Sequence, residues 1–268
     1  MTEKKKKTTT RKVRQKKSDS KKKAKKITPK NSPKSTRKTV RSIDFLEELL
    51  RAGCHFGHSV SRVNPRMQEY IFGVREGIHI FDLIKTKNQL EQATNYLKKI
   101  VSSGGKIIFV GTKRQAIESV ERAAKEVGMF YVSTRWVGGL LTNWQEIKKN
   151  LDRLEELIKK LSEKDSPLTK YELGVLRKEQ YNLESLYGGL VGLEKLPEAI
   201  IVVDSKKEQT AVREAKRVGV CVIGLVDTNT DPRGIDYVIP ANDDAKASVD
   251  YILTKVVEEI KKAQNEQK

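Results

Sequence analysis

Short polar motifs that could bind an anion or support catalysis follow three apolar runs of this chain. Gly111-Thr112-Lys113-Arg114 follows one run, Asp204 follows a second and Asp227 follows a third. In an open parallel sheet, ligands bind beyond the carboxyl ends of the strands, so these residues are the first candidates for chemistry. Backbone N–H groups at a Gly-Thr-Lys helix start could hold a phosphate. The segment has neither GxGxxG nor GxxxxGK[ST] spacing, so nucleotide binding has little support.

Carboxylates and imidazoles near the same edge allow two further kinds of chemistry. Asp204 and Asp227 could act as general acid and base, or could bind a metal ion with His55 or His58. The alternative is structural: the aspartates cap the turns that follow, and the histidines form hydrogen bonds within a packed loop. We favour the structural role, and a metal site of His58, Asp204 and Asp227 stays open at this point.

Nucleophilic catalysis has less support. Cys54 precedes His55, but adjacent side chains usually point apart, and the chain contains no GxSxG elbow. Cys54 and Cys221 are far apart in sequence and form no CxxC pair, which is typical of a reducing compartment. We therefore favour a structural role for these residues over catalysis, and no motif among them calls for a cofactor.

A second group of loop residues is better suited to binding RNA. In the stretch 135–143 (RWVGGLLTN), paired glycines allow close backbone approach, and Arg135 can bind a phosphate in a bidentate manner. Trp136 can stack on a base or fill the core, and we expect the core. The residues expected to contact RNA are Arg62, Asn64, Arg66, Lys113, Arg114, Arg135, Thr142 and Asn143. The alternative is that these are scattered, solvated polar groups.

The elements that position these residues alternate between strands and helices. Short, continuous apolar runs predict buried parallel strands at 106–111, 130–133, 199–203, 221–226 and 237–239. Amphipathic patterns predict helices between Ser42 and Gly53 and at 86–102, 113–127, 207–218 and 243–263. Two short apolar segments at 70–74 and 78–81 precede this pattern. Such alternation predicts a flavodoxin-like, three-layer α/β domain with a mainly parallel five-stranded sheet.

An inserted helical hairpin interrupts the alternation. A three-four spacing, typical of a coiled-coil seam, is formed by Trp144, Ile147, Leu151, Leu154, Ile158 and Leu161. Asp165-Ser166-Pro167 end this helix. A second helix with a matching stripe returns, marked by Leu176, Leu183, Leu186 and Leu190. We therefore divide the chain into an α/β domain of 42–143 and 195–268 and an antiparallel coiled-coil hairpin of 144–194.

The net charge of +19 lies almost entirely in residues 1–41, which hold 19 Lys or Arg and two acids. This lysine-rich extension has too few apolar residues to offset the entropy of ordering, so we predict that it is disordered when free. It could be a nuclear address, a membrane-surface patch, a solubilising extension or an RNA-binding arm, and we favour the arm. The sequence shows no apolar run long enough to span a bilayer and no secretory h-region, so we expect a soluble, intracellular protein.

Six motifs, taken in order, resemble the family of small-subunit ribosomal protein two. They are Gly53–His58, Asn64–Met67, Tyr70–Gly73, Phe109–Arg114, Arg135–Asn143 and Val226–Asn229. The resemblance covers about residues 42–262, includes the inserted hairpin, and looks closest to the bacterial or organellar branch. The chain departs from the family pattern in its lysine-rich extension and at Cys54 and Cys221, where the family often has other small or apolar residues.

The resemblance implies a structural protein without catalytic activity, held by small-subunit ribosomal RNA between the head and the body. It also implies ribosomal proteins three and five as neighbours, and recruitment of ribosomal protein one, which captures messenger RNA for initiation. With it we expect no membrane, no small-molecule substrate and no homo-oligomer, and a location in a cytoplasmic or organellar small subunit. Two alternatives are a flavodoxin-like enzyme that uses the strand-end aspartates and a free regulatory RNA-binding module.

Overall fold

The structure, a computed structural model, describes residues 44–162 and 169–266. Helix α1 spans 44–51, and the chain leaves it through Gly53, whose φ of 73° favours glycine. The predicted cap Ser42 and the lysine-rich extension lie outside the described residues. A small antiparallel sheet follows, with the order β1-β3-β2, and its strands are β1 (Phe56–Ser59), β2 (Ile71–Arg75) and β3 (Ile78–Phe81).

Five parallel strands form the main sheet. They are β4 (Ile107–Val110), β5 (Phe130–Val132), β6 (Ala199–Val203), β7 (Cys221–Val226) and β8 (Tyr237–Pro240). Their order is β5-β4-β6-β7-β8, and every neighbouring pair is parallel. Numbered from the first strand of this sheet, the order is 2-1-3-4-5, which is the flavodoxin-like arrangement. The predicted α/β fold is confirmed.

Helices cover both faces of this sheet. They are α2 (Leu83–Ser102), α3 (Ile117–Glu126), α4 (Trp144–Ser162), α5 (Lys170–Tyr187), α6 (Gln209–Val218) and α7 (Lys246–Asn265). Alternate residues of a strand point to opposite faces. Ile107 and Phe109 of β4 therefore join one buried cluster with α2, α3 and α7, while Ile108 and Val110 join another with α4 and α6. These clusters make the three layers.

Helices α3, α6 and α7 begin two to four residues later than their apolar patterns predict. The carboxylate of Asp204 accepts a hydrogen bond from the backbone N–H of Lys207 at 3.1 Å. The side-chain oxygen of Asn242 accepts one from the N–H of Asp244 at 2.9 Å. Such local hydrogen bonds compete with the first helical turn, so before α6 and α7 the strand ends continue into turns that carry polar side chains.

The expected hairpin is formed by α4 and α5. Ile147 and Leu151 near the start of α4 share a buried cluster with Tyr187 at the end of α5, so the two helices are antiparallel. The Arg153 guanidinium holds the Glu179 carboxylate at 2.9 and 3.1 Å. The base of the hairpin is part of the core on this face of the sheet. The predicted helix-ending residues 165–167 lie outside the described residues.

Candidate functional site

Charged side chains cluster around Lys113 at the edge of the main sheet where the carboxyl ends of its strands lie. The Lys113 Nζ lies 2.6 Å from Asp244 Oδ1, 2.7 Å from Asp243 Oδ1 and 3.4 Å from Asp204 Oδ2. Burial lowers the pKa of Lys113, but hydrogen bonds to Asp243 and Asp244 outweigh burial and raise the pKa above its usual value. The charge of Lys113 is thus balanced largely inside the protein.

Asp243 is the most buried carboxylate bonded to Lys113, with 2% of its surface exposed. Burial, together with the negative charges of Asp204 and Asp227, raises the pKa of Asp243 to about 7, and Lys113 opposes this shift. Asp243 therefore holds a proton more tightly than a solvent-exposed aspartate does.

His58, on β1, bridges two of these acidic groups. Its Nδ1 lies 3.0 Å from Asp227 Oδ1, and its Nε2 lies 3.4 Å from Asp244 Oδ2. The hydrogen bond to Asp227 raises the pKa of His58, although burial opposes it. His58, Asp227 and Asp244 each offer one ligand atom, all within 4.8 Å of one another, so they could hold a metal ion. In the described structure Asp244, and not the expected Asp204, completes this trio.

The point where a flavodoxin-like sheet would bind a phosphate is occupied by a protein carboxylate. Glu208 is 4% exposed and accepts hydrogen bonds from the backbone N–H of Thr112, at 3.3 Å, and from the Thr112 hydroxyl. Burial raises the pKa of Glu208, while the Thr112 hydrogen bonds lower it. An anion approaching the N–H of Thr112 would have to displace this carboxylate. The geometry therefore disfavours a nucleotide at this position.

Cys54 does not have the environment of a nucleophile. Its side chain is fully buried, and burial raises the pKa of its thiol to about 11. Its sulfur lies 3.3 Å from the hydroxyl of Ser248. The His55 ring instead contacts Phe56, with 3.9 Å between ring centroids. The Cys54–His55 sequence pair therefore gives no catalytic pair.

Glu214 of α6 organises the stretch 135–143. It is 7% exposed and accepts backbone hydrogen bonds from Gly139 at 2.8 Å and Leu141 at 3.1 Å. The Trp136 indole donates to it at 3.2 Å, and both the N–H and the hydroxyl of Thr142 point to it at 3.4 and 3.3 Å. Trp136 is 7% exposed, which confirms its expected place in the core. The loop is therefore held from beneath, with Arg135 and Asn143 exposed on its surface.

The residues expected to contact RNA follow strands that end at one edge of the sheet or lie in loops that contact that edge. The N–H of Asn64 donates to the carbonyl oxygen of Thr228, after β7, at 2.8 Å, and its side chain accepts from the N–H of Arg66 at 3.0 Å. Arg66 is exposed and lies 3.4 Å from Asp231. Three further arginines are exposed and form no ion pair within the described residues: Arg62, Arg114 and Arg135.

A comparison with protein families matches residues 49–263 to Ribosomal protein S2. The chain belongs to the ribosomal protein S2 family. The match spans both sheets, the hairpin and all eight residues expected to contact RNA, so the resemblance seen in the sequence is confirmed. Membership makes the chain a structural protein of the small ribosomal subunit.

In this S2 protein, three residues that shape the edge are not among those that the sequence motifs indicate. Asp243 and Asp244 follow β8, and the rule that strand ends lie at one edge could have placed them at the same edge as Lys113. Glu214 gave no such signal, because a glutamate on an amphipathic helix is ordinarily solvated.

Within the described residues, no helix has both the length and the apolarity needed to cross a membrane.

Proposed function

We propose that this S2 protein binds small-subunit ribosomal RNA between the head and the body of the subunit. The observation that carries the proposal is the set of exposed arginines without an ion-pair partner among the described residues: Arg62, Arg114 and Arg135. A guanidinium binds phosphate through two parallel hydrogen bonds. Glu214 and Asn64 fix the loops of Arg135 and Arg62, so little ordering entropy opposes binding. Asn143 and Thr142 add polar groups beside Arg135. Lys113 pairs mainly with carboxylates inside the protein.

The hairpin, 144–194, extends this contact along RNA or onto a neighbouring protein. The outward side of α5 carries Tyr171 and Tyr181, which are 81% and 73% exposed. Lys178 lies on the same side and has no ion-pair partner among the described residues. Aromatic rings stack on unpaired bases, and nearby cations pair with phosphates. The fold of the RNA, more than its base sequence, is then what the protein recognises.

The protein further supports the docking of ribosomal proteins one, three and five of the small subunit during translation initiation. It does so without an enzymatic step, a cofactor or a small-molecule substrate, and without forming a homo-oligomer. Three features support this absence of chemistry. Glu208 fills the place of a phosphate, Cys54 is buried with a raised pKa, and the Asp204 carboxylate lies close to the Lys113 ammonium.

Neutralising one edge arginine tests the RNA contact. We expect Arg135→Gln to weaken binding of in vitro transcribed small-subunit ribosomal RNA and to lower the slope of log affinity against log salt by about one, the effect of one lost phosphate contact. Arg122→Gln is the matched control, because Arg122 lies on α3, away from this edge, and pairs with Asp250 at 2.9 Å. Equal slopes for the two variants would contradict the proposed interface.

A further inference from the structure

A cleft of about 520 Å³ lies beside α6, between the loops that follow β6 and β7. Its walls carry one carboxylate, Asp231, and four cations: Lys206, Arg213, Lys216 and Arg233. The net charge of +3 on these side chains contrasts with the region outside the lysine-rich extension, where 35 basic and 33 acidic residues nearly cancel. None of these cations belongs to the loop residues that the sequence motifs singled out. The cleft is therefore a second place where positive charge is concentrated.

Most of this charge is available to a partner. Arg233 binds Asp231 at 2.7 Å, so these two side chains largely neutralise each other. Arg213 and Lys216 are three residues apart on α6, which places both on one side of the helix. Both are exposed, as is Lys206, and none of the three forms an ion pair within the described residues. Cations that line a cleft without internal partners favour an anion.

The buried hydroxyl of Ser205 distinguishes this cleft from a patch of solvated cations. It follows β6, lines the cleft and is 5% exposed. Its hydroxyl is buried and has no hydrogen-bond partner within the described residues. A buried hydroxyl without a partner costs free energy in the free protein, and this cost is removed when an acceptor arrives. The oxygen of a phosphate is such an acceptor.

We propose that this cleft binds a phosphate group of the small-subunit ribosomal RNA backbone. Arg213 and Lys216 pair with the phosphate oxygens, and the Ser205 hydroxyl donates a hydrogen bond to one of them. The proposal rests on the RNA-binding function proposed above and adds a contact site to it. Asn64 lines the cleft and belongs to the loop of Arg62 and Arg66, so the cleft continues the interface at the sheet edge. Free phosphate offers the same oxygens, and the experiments separate the two sources.

The first experiment compares two arginines of α6 in the full-length chain. Arg213 lines the cleft, whereas Arg217, also exposed and also without an ion pair among the described residues, does not. We expect Arg213→Gln to lower the salt slope of binding to transcribed small-subunit ribosomal RNA by about one, and Arg217→Gln to lower it by less. Equal loss of slope in the two variants would show unspecific attraction and would overturn the cleft as a site.

The second experiment uses Ser205→Ala, which separates binding from stability. Removal of an unpartnered buried hydroxyl should leave Tm unchanged or raise it. The same change should weaken binding to the RNA at least about ten-fold, which is the low end for one hydrogen bond to a charged group. Unchanged RNA affinity, or a loss of affinity that follows a fall in Tm, would refute the assigned role of Ser205.

The source of the phosphate and the parent function are tested separately. If the wild-type chain does not bind the RNA at all, the proposed function fails. If the wild type binds and both cleft variants bind as Arg217→Gln does, only the cleft proposal fails. The last measurement is the change in Tm on addition of inorganic phosphate. Suppose that phosphate raises the Tm of the wild type but not of Ser205→Ala, while the variant binds RNA with unchanged affinity. This result would assign the cleft to a free anion and overturn the proposal.

Discussion

Glu214 holds the loop 135–143 through five hydrogen bonds that converge on one buried carboxylate. Replacing it by glutamine puts an amide nitrogen against backbone and indole N–H groups that can only donate, so some buried N–H groups lose their acceptor. We expect Glu214→Gln to lower the free energy of unfolding by about 3 kcal/mol, since each buried donor left unpaired costs about 1–3 kcal/mol. Urea unfolding measures this change.

The effect of Glu214→Gln should also depend on pH. Burial raises the pKa of Glu214, but the hydrogen bonds from Gly139, Leu141 and Trp136 outweigh burial and hold the pKa below 4.5. A lowered folded pKa contributes stability above the unfolded pKa, and this contribution is lost as the pH falls through the folded value. The difference in unfolding free energy between wild type and variant should therefore have its full size at pH 7 and decrease below about pH 4.5. Glu194→Gln, at an exposed position, is the control. A difference that does not depend on pH would contradict this role of Glu214.

The strand-end rule placed residues at the edge of the sheet, but it did not give their partners. The sequence predicts an RNA contact for Lys113 and does not indicate its bonds to Asp243 and Asp244, which are about 130 residues further along the chain. No local pattern encodes such a pair. The arginines were easier to place, because an exposed cation in a loop needs no specific partner inside the protein.

At the scale of elements, α4 belongs partly to the hairpin and partly to the core. Leu154 is fully buried and shares a cluster with β4 and β6, while Ile158, one turn later, is 38% exposed. We expect Leu154→Ala to cost about 2–5 kcal/mol of unfolding free energy, because a buried cavity remains. Ile158→Ala is the matched control and should cost clearly less. Equal costs, measured by urea unfolding, would show that α4 does not dock on the sheet as described.

Strands were easier to predict than the elements that depend on distant partners. β6 and β7 have the predicted bounds, because their continuous apolar runs must be buried on both faces. The sequence predicts a loop at the residues of β1, 56–59. β1 is a four-residue strand that pairs with β3 through an irregular register, and its sequence FGHS has no alternation. Only the tertiary pairing makes it a strand.

For the whole molecule, charge is divided between the lysine-rich extension and the folded region. Residues 1–41 carry +17 and lie outside the described residues, while the rest of the chain carries +2. We expect deletion of 1–41 to flatten the salt dependence of RNA binding, since each Lys or Arg near a phosphate releases a counterion. A truncated chain with the slope of the full-length protein would contradict the RNA-arm hypothesis.

The net charge of the chain and its sequence motifs both indicate RNA, but for different reasons. A basic extension fits several anionic partners, so the total alone does not indicate a ribosome. The ordered motifs of the nearly neutral region do, and residues 49–263 match the family. The position of each contact could not be read from the sequence, because it depends on which cations remain unpaired after folding.

Sedimentation is the most direct test of whether this chain is a structural part of the small subunit. A cell lysate is separated on a sucrose gradient at low salt, and the fractions are probed for the chain and for small-subunit ribosomal RNA. We expect the chain to travel with the small subunit and with whole ribosomes. A chain that remains at the top of the gradient, away from ribosomal particles, would contradict it.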